Sequence, residues 1–417
     1  MRILVITNYF PPSRFGWGYM QLCEEVTDRL AARGHVMTVL TSTCRDGSEI
    51  ERRYHVHRVL EIDPDWNTKK SAAWQFFVQR RSRERRALAH FQQAISSLRP
   101  DIIFIWDAIG LPRVLLLAAE RCASATTVYY FANYLPELPD EYIAYWQREP
   151  SAVIGKLTKG LLGRLALRQM RIEGKPVSLQ YGHAICVSQY LRLRFVSKGL
   201  IPESSVVIHN GIDLSTFSST RSNFSALRSK QLSCLVAGRI VPDKGIHTVI
   251  EAVGHLDQRE ETRDQMSLTI LGDGPADYMN YLRQRVAALG IKDVVHFMAP
   301  VQRAQMPEIF AKHDVLILPS EYGEPIARSM QEAMAMGLLV IGTTTGGSGE
   351  LLRHEHNGLV FPSADVQSLA TQVARAITTP GLRARLAWQG QQDIGAHFDI
   401  RMTVEKVEDY LMKRCSQ

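Results

Sequence analysis

Two glutamates and a proline give the clearest chemical signal in the chain. Glu324 and Glu332 lie on either side of Pro325, where a helix is expected to begin after a strand that ends at Leu318. The helical rise separates the two backbones by ~12 Å, wider than the ~5–5.5 Å between the carboxylates of a retaining glycosidase. They can instead bracket a ligand with hydroxyls at both ends and a phosphate at the helix start, where N–H groups are free. The alternative is two glutamates that face solvent.

Two cations stand near another expected strand end. Arg239 follows the predicted strand 232–237, and Lys244 closes the next turn. Fixed positive charges at the edge of a parallel sheet can neutralise the charge that develops on a departing diphosphate. A loop salt bridge with Asp243 is the simpler alternative.

Alternating strands and helices are needed to position these residues, and the chain has that pattern twice. This alternation predicts βαβ units and parallel sheets, which bind ligands at the carboxyl ends of their strands. The sequence therefore predicts an α/β protein of two doubly wound, Rossmann-like domains, 1–205 and 206–400. The predicted strands are 3–6, 36–40, 56–60, 102–105 and 127–131 in the first half, and 232–237, 267–271, 294–298, 315–318 and 338–341 in the second.

Length and composition agree with a multidomain globular protein. The chain has 417 residues, 45% hydrophobic and 22% charged, which predicts two or three domains. Its 49 basic and 42 acidic residues give a net charge of +7. This mild excess favours anionic ligands, nucleotides or an anionic membrane, and without a basic motif it does not indicate nucleic acid.

Cysteine usage and the N-terminus indicate a cytoplasmic protein. The six cysteines form no C-x-x-C pair, so a zinc or thioredoxin-type site is not expected. The N-terminus lacks a signal-peptide pattern, and no run of 18 apolar residues could span a membrane. The segment 151–175 mixes leucines with basic residues. We favour a helix packed on the domain, because glycines interrupt the pattern, over a helix lying on the anionic inner face of a membrane.

An ordered set of motifs resembles the family 4 glycosyltransferases, which are retaining enzymes of the GT-B fold and belong to glycosyltransferase group 1. The matching segments keep the family's order along most of the chain. They are ITNYFPP, RGHVMTVLTS, VSQYL, HNGID, AGRIVPDKG, LGDGP, LPS, Glu324-x7-Glu332 with AMAMG, and TTGGSGELL.

The resemblance implies two domains that face each other across a cleft, with a final helix of about 401–413 packed back on the first. It implies retaining, metal-independent transfer of a hexosyl-type sugar from a UDP- or GDP-sugar to a hydroxyl of a glycan, lipid-linked glycan or small molecule. The implied catalytic residues are Glu324, Arg239 and Lys244, the last two on the diphosphate. The implied donor-binding residues are Gly16, Gly18, Asn210, Gly211, Gly272, Gly274, Pro325, Ile326, Ala327 and Glu332, with Glu332 on the ribose; Ser320 and Glu350 are weaker candidates.

Two departures from the family pattern bear on activity. The histidine often found after the fifth strand is replaced by Ala132-Asn133, and Asn133 can bond a sugar but cannot act as a base. Pro325 supplies no N–H where the family usually has an aromatic residue before glycine. Asn133, Trp17 and Tyr19 are the acceptor-side candidates. The alternatives are a GT-B isomerase or sugar-phosphate-using enzyme, and a non-catalytic nucleotide- or glycan-binding homologue.

Overall fold

Two parallel sheets organise the chain, one in each of two compact units. The computed structural model describes residues 1–13, 15, 17–63, 71–148, 153–218 and 231–415, without the side chains of 17 and 153–158. The first unit comprises Met1–Val187, Leu191–Ile208 and the segment from Val404, and the second comprises Ser188–Tyr190 and His209–Thr403.

The first unit has a seven-stranded sheet of order β3-β2-β1-β4-β5-β6-β7. Every neighbouring pair is parallel, and all residues of the central strand β4 are fully buried, as expected where helices cover both faces of a sheet. The elements are β1 (Arg2–Ile6), α1 (Trp17–Ala32), β2 (Val36–Ser42), β3 (His55–Leu60), α2 (Ala72–Trp74), a π-helical turn (Gln75–Gln79), α3 (Arg80–Leu98), β4 (Ile102–Ile105), α4 (Arg113–Glu120), β5 (Thr126–Phe131), α5 (Glu141–Gln147), α6 (Val153–Ile172), β6 (Ala184–Cys186), α7 (Gln189–Ser197) and β7 (Val206–Val207).

The second unit has a six-stranded parallel sheet of order β10-β9-β8-β11-β12-β13. Its elements are β8 (Leu232–Ala237), α8 (Ile246–Asp257), β9 (Met266–Leu271), α9 (Ala276–Ala288), β10 (Val295–Met298), α10 (Met306–Ala311), β11 (Val315–Leu318), α11 (Arg328–Ala335), β12 (Leu339–Gly342), β13 (Leu359–Val360), α12 (Val366–Thr378) and α13 (Leu382–His397). The last helix, α14 (Ile400–Cys415), begins in this unit, and its residues from Val404 onward belong to the first unit.

The strand order reverses direction once in each sheet, between β1 and β4 in the first and between β8 and β11 in the second. In open α/β sheets the loops at this switch point form the ligand-binding crevice. The loop after β8 carries Arg239, and the loop after β11 carries Glu324. The sheet topology therefore brings the predicted cation and the predicted glutamate to one edge.

The predicted α/β class with two doubly wound domains is confirmed. The predicted bounds of β4, β8 and β11 match the structure, β12 is shifted by one residue at both ends, and the other predicted strands differ by one or two residues at one end. The two-residue strands β7 and β13 were not predicted. Because β7 pairs with β6, the first sheet continues past residue 205, and the division between the units falls at 208 and 209.

Candidate active site

Lys244 and Glu324 form an ion pair in the second unit. Lys244 ends the short 3-10 turn Pro242–Lys244 before α8, and Glu324 follows β11. The Glu324 carboxylate, only 4% exposed, also accepts hydrogen bonds from the hydroxyls of Ser320 at 2.6 Å and Tyr322 at 2.7 Å. A charge removed from water needs such partners, so these four side chains act as one unit.

Tyr322 is a site residue to which the sequence analysis assigned no role. The ammonium of Lys244 lies 5.0 Å from the centre of its ring and 3.5 Å from its hydroxyl. Burial and the neighbouring Glu324 carboxylate raise the pKa of Tyr322. Its hydroxyl therefore stays neutral around pH 7 and remains a hydrogen-bond donor to Glu324. An aromatic residue two positions before the glutamate was the only signal in the sequence.

Arg239 supplies the available positive charge of the site. Its side chain is exposed, and it makes no hydrogen bond or ion pair with any residue that the structure describes. It lies close enough to Tyr322 for its charge to lower the pKa of that residue. Because a guanidinium does not deprotonate in proteins, Arg239 can receive an anionic group without first losing a partner.

The helix after Glu324 begins later than the sequence predicted. Pro325 was expected at the helix start, but α11 begins at Arg328, with Ala327 as its N-terminal capping residue. Glu324 instead forms a parallel bridge with Gly346, and the residues between Glu324 and α11 are not helical. The estimate of a helical rise between the two glutamates was therefore wrong, since only Glu332 lies on the helix.

Backbone donors are available just before α11. Ile326 and Ala327 are 8% and 6% exposed, and their N–H groups have no acceptor among the described residues. Buried N–H groups are nearly always paired in native proteins. These two donors beside a helix N-terminus therefore fit an anion or a hydroxyl group.

Glu332 has a partner that the sequence analysis missed. Arg303 binds it at 2.6 Å, and Arg328 lies 3.9 Å away on the same helix. The guanidinium of Arg303 also stacks 4.9 Å from the ring centre of Phe217. Arg303 lies in a short turn after β10, outside every motif, so only the fold shows that it orients Glu332.

Two glycines predicted to bind the donor have a structural reason to be glycine. A Cβ atom on Gly272 would lie 1.9 Å from the carbonyl oxygen of Gly238, and one on Gly274 would lie 1.8 Å from that of Ile240. The Ile240 N–H donates to the Asp273 carbonyl at 2.8 Å. The loop after β9 therefore packs backbone to backbone against the loop that carries Arg239.

Asn210 and Gly211 pack inside the second unit. The Asn210 side chain is 3% exposed and donates to the Gln331 side chain at 2.9 Å, which donates back to the Asn210 carbonyl at 2.7 Å. A Cβ on Gly211 would lie 2.6 Å from the backbone of Ile400. Close packing explains the glycine at 211, whereas the buried side-chain oxygen of Asn210 has no hydrogen-bond partner among the described residues.

Glu350, a weaker candidate, binds protein groups. It accepts hydrogen bonds from the N–H groups of Gln189 and Tyr190 at 3.0 and 2.8 Å, and pairs with His209 at 2.8 Å. Burial opposes its ionisation, but these bonds outweigh burial and lower the pKa of Glu350. It is a structural carboxylate in this arrangement.

The remaining candidates belong to the first unit. Gly16 and the Trp17 side chain lie outside the described residues, and Gly18 is in the first turn of α1. Tyr19 donates its hydroxyl to the backbone carbonyl at Tyr130, so its polar end is engaged with strand β5. Asn133 follows β5. The structure thus gathers the Lys244, Glu324 and Arg239 group in one unit and the acceptor-side candidates in the other.

Two further features concern membrane-spanning helices and metal ligands among the described residues. In this part of the protein, no helix combines the length and the apolar character needed to cross a bilayer. Within the same residues, no three His, Cys, Asp or Glu side chains are grouped so that they could hold a metal ion.

Two family models match the chain in tandem. Residues 21–216 match "Glycosyltransferase Family 4", and residues 219–393 match "Glycosyl transferases group 1". The match to a GDP-mannose-dependent alpha-(1-6)-phosphatidylinositol monomannoside mannosyltransferase of Mycobacterium tuberculosis has 26% identity and covers 98% of both chains. A putative glycosyltransferase of Bacillus subtilis is 28% identical over 56% of this chain and 61% of its own. Two further curated relatives match over 43% and 54% of their own length.

A solved structure shares the fold. The crystal structure of HepE from Anabaena in complex with UDP has a TM-score of 0.70 and 20% sequence identity, covering 99% of this chain and 100% of that one.

Proposed function

The chain belongs to the group 1, family 4 glycosyltransferases of the GT-B fold, and we propose that it transfers a sugar from a nucleotide-diphosphate sugar to a hydroxyl acceptor. The donor binds the second unit, and the acceptor binds the first. The transferred group is a hexosyl-type sugar, and the anomeric configuration is retained. The donor candidates are UDP- and GDP-sugars, because HepE was solved with UDP and the mycobacterial relative depends on GDP-mannose.

One observation carries the proposal: a free cation, a paired cation and unpaired backbone donors meet at the switch point of the second sheet. Arg239 has no partner among the described residues, and Lys244 is held by Glu324. The buried N–H groups of Ile326 and Ala327 are available nearby. This set can neutralise a diphosphate leaving group through the protein's own charges, which supports a metal-independent reaction.

Glu324 suits an orienting role better than a nucleophilic one. Its carboxylate is almost fully buried and already accepts hydrogen bonds from Ser320, Tyr322 and Lys244. A carboxylate engaged this way has little freedom to attack an anomeric carbon. We therefore place Glu324 on the sugar hydroxyls and assign the acceptor proton to the departing diphosphate oxygen. Glu332, oriented by Arg303, binds the ribose.

Calorimetric titration with UDP, GDP, ADP and their sugars tests the donor site. We expect one base to be preferred, and Lys244→Ala to weaken that nucleotide at least tenfold. Lys312→Ala, which changes an exposed lysine of the same unit, should leave the affinity unchanged. Equal binding by wild type and Lys244→Ala would reject the site. Product analysis by NMR then tests retention, and release of a free sugar or an isomer instead of a glycoside would favour the alternative enzymes.

A second proposal concerns the partner of α6, which we place on an anionic membrane surface. One face of this helix packs on the unit through Gly163, Ala166 and Met170. At ~100° per residue, Leu161 and Leu165 project from the opposite face. These two side chains are 65% and 51% exposed.

The rest of that outer face fits the same partner. Ile172 is 77% exposed and continues the apolar stripe. Arg164, Arg168 and Arg171 are exposed along one flank. Apolar residues beside a cationic row match the interface of an anionic bilayer. The interpretation of α6 as only a packed helix leaves this face unexplained.

Flotation with vesicles of phosphatidylcholine alone or with phosphatidylglycerol tests this partner. We expect binding to the anionic vesicles only, and loss of binding when Leu161, Leu165 and Ile172 are changed together to Ser. Trp388→Ser, a matched change of a half-exposed apolar residue in α13, should not alter binding. Absence of wild-type protein from the anionic vesicles would reject the membrane partner and leave the donor proposal intact.

A further inference from the structure

Polar residues end three neighbouring strands of the first sheet. Asn8 follows β1, Asp107 follows β4 and Asn133 follows β5. These strands are adjacent in the order β1-β4-β5, and the strand order reverses between β1 and β4. The three residues therefore stand at the switch point of the first sheet, the usual place for a ligand in this architecture.

The Asp107 carboxylate is only partly used by the protein. Its Oδ1 atom accepts a hydrogen bond from the Ile109 N–H at 3.1 Å, and it makes no ion pair with any described residue. Burial raises the pKa of Asp107 to about 6, against the opposing effects of the Ile109 N–H and the side chains of Asn8 and Asn133. These contacts offset only part of the cost of burial, so a further hydrogen bond from a ligand would stabilise the charged carboxylate.

The Asn133 side chain has a hydrogen-bond donor without an acceptor. Its Oδ1 atom accepts from the Leu135 N–H at 2.9 Å. Its Nδ2 atom is buried, and it has no hydrogen-bond partner in the described part of the chain. Asn133 is nevertheless close enough to Asp107 to lower its pKa. A carboxylate that can accept further hydrogen bonds and an unpaired amide donor therefore stand side by side, and the buried unpaired donor calls for an explanation.

The surroundings fix this pair without neutralising it. Tyr19 on α1 donates to the Tyr130 carbonyl and accepts from the Ala132 N–H at 3.3 Å, which anchors the end of β5. The negative charge of Asp107 acts on three titratable groups, Tyr19 and Cys23 on α1 and Glu141 on α5. Asp107 contributes to raising the pKa of each of these groups. The faces from α1 and α5 therefore bring no positive charge to Asp107.

We propose that Asp107 and Asn133 bind a hydroxyl group of the acceptor. The hydroxyl oxygen accepts a hydrogen bond from Asn133 Nδ2, and the hydroxyl group donates a hydrogen bond to the Asp107 carboxylate. Such a pair selects a neutral hydroxyl-bearing ligand, a sugar or polyol, over an anion, which the carboxylate repels. No covalent bond changes at this pair. The inference rests on the proposed function, for which it names the acceptor class and contact residues.

Binding of neutral hydroxyl probes tests the pair directly. We would titrate methyl α-D-mannopyranoside, methyl α-D-glucopyranoside and myo-inositol into the full-length protein by ligand-observed NMR. We expect Asp107→Asn and Asn133→Asp each to weaken the binding of the preferred probe by about tenfold or more. Asp101→Asn changes a carboxylate at the opposite end of β4 and should have no effect.

The double variant separates a binding role from a structural one. Asp107→Asn with Asn133→Asp exchanges the amide and the carboxylate, so a donor and an acceptor remain side by side. We expect it to recover part of the affinity that each single variant loses. A purely structural role predicts no such rescue. In the wild type, probe affinity should fall as the pH drops through about 6, where Asp107 becomes protonated, and Asp107→Asn should not show this fall.

Several results would overturn the inference. One is that the wild type binds none of the three probes up to their solubility limit. Another is that both single variants bind the preferred probe as the wild type does. The third is that the double variant folds but recovers no probe affinity. Nucleotide titrations in the same variants keep the two proposals apart. Lost probe binding with intact nucleotide binding concerns the acceptor pair alone, whereas a wild type that binds probes but no nucleotide would contradict the donor site.

Discussion

Lys244 and Glu324, 80 positions apart in the chain, form an ion pair within the second unit. The Lys244 side chain is 20% exposed and that of Glu324 is 5% exposed. The pair therefore lies at the border between the core and solvent. Under the proposed function, a donor diphosphate competes with Glu324 for the lysine, so we expect the pair to influence donor affinity.

The first prediction concerns the energy of this pair. Lys244→Met leaves a buried carboxylate without its cation, and Glu324→Gln leaves the cation without its carboxylate. Each single variant should lose about 3 kcal/mol of unfolding free energy. The double variant should lose less than the sum, because neither charge is then stranded. Urea unfolding of the four proteins measures the coupling, and additive losses would show that the two groups are independent.

Arg303 provides a second prediction. Arg303→Ala removes the partner that orients Glu332 at 2.6 Å, so the KM for the donor should rise about tenfold, a loss of ~1.4 kcal/mol in binding, while kcat changes little. Arg283→Ala is the matched control, because Arg283 also stacks on a phenylalanine, Phe297 at 5.4 Å, but has no role near Glu332. Steady-state kinetics with the donor identified by calorimetry provides the measurement. Equal KM changes in both variants would mean that only the ring contact matters.

Gly274 provides a third prediction. The Cβ of Gly274→Ala would lie 1.8 Å from the Ile240 carbonyl oxygen, so the two loops must separate. We expect a lower melting temperature together with weaker nucleotide binding, since the displaced loop carries Arg239. Gly395→Ala, in α13 with open space around it, should be neutral or stabilising by up to about 1 kcal/mol. A Gly274→Ala protein with unchanged melting temperature and affinity would disprove the tight packing.

The pH dependence of stability tests Asp63. Burial raises its pKa to about 6, although hydrogen bonds from Tyr142 at 2.6 Å and Arg83 at 3.3 Å oppose the shift. The folded protein then holds this proton more tightly than the unfolded chain, so the contribution is fully present below about pH 4 and is lost as the pH rises through about 6.

Asp63→Asn removes that titration and keeps the shape of the side chain. Relative to the variant, the wild type should lose up to about 3 kcal/mol of unfolding free energy between pH 4 and pH 7. Urea unfolding of both proteins at the two pH values gives this difference in unfolding free energy. Because Asp107 titrates in both proteins, its contribution cancels in the comparison. A wild type that gains stability relative to Asp63→Asn over this range would reverse the sign and contradict the raised pKa.

Local sequence patterns were sufficient for most of the scaffold. Strands such as β4 and β8 are short apolar runs bounded by polar or glycine residues, and burial on both faces makes such runs easy to recognise. The paired strand β7 has only two residues, too few to show a pattern. A π-helical turn at Gln75–Gln79 lies between α2 and α3. It shifts the helical register and has no periodic signal of its own.

Site residues could be predicted where a chemically suitable side chain lies in a recognisable motif. They could not be predicted where only the fold brings the residues together. Lys244 and Glu324 lie in motifs, and their pairing follows from the ends of β8 and β11. Arg303 and Asp107 lie in no motif, and they become visible only through what they contact. Pro325 misled the prediction because proline suits a first helical turn as well as the non-helical loop that it occupies here, next to the bridge between Glu324 and Gly346.

The backbone contact between the loops after β8 and β9 limits how this protein can be re-engineered. Gly272 and Gly274 leave no space for a side chain against Gly238 and Ile240, so neither loop can be varied alone without moving the other. A library that seeks a new nucleotide preference should keep both loops fixed and randomise positions whose side chains have room to change. Grafting from a relative should transfer the two loops as one block.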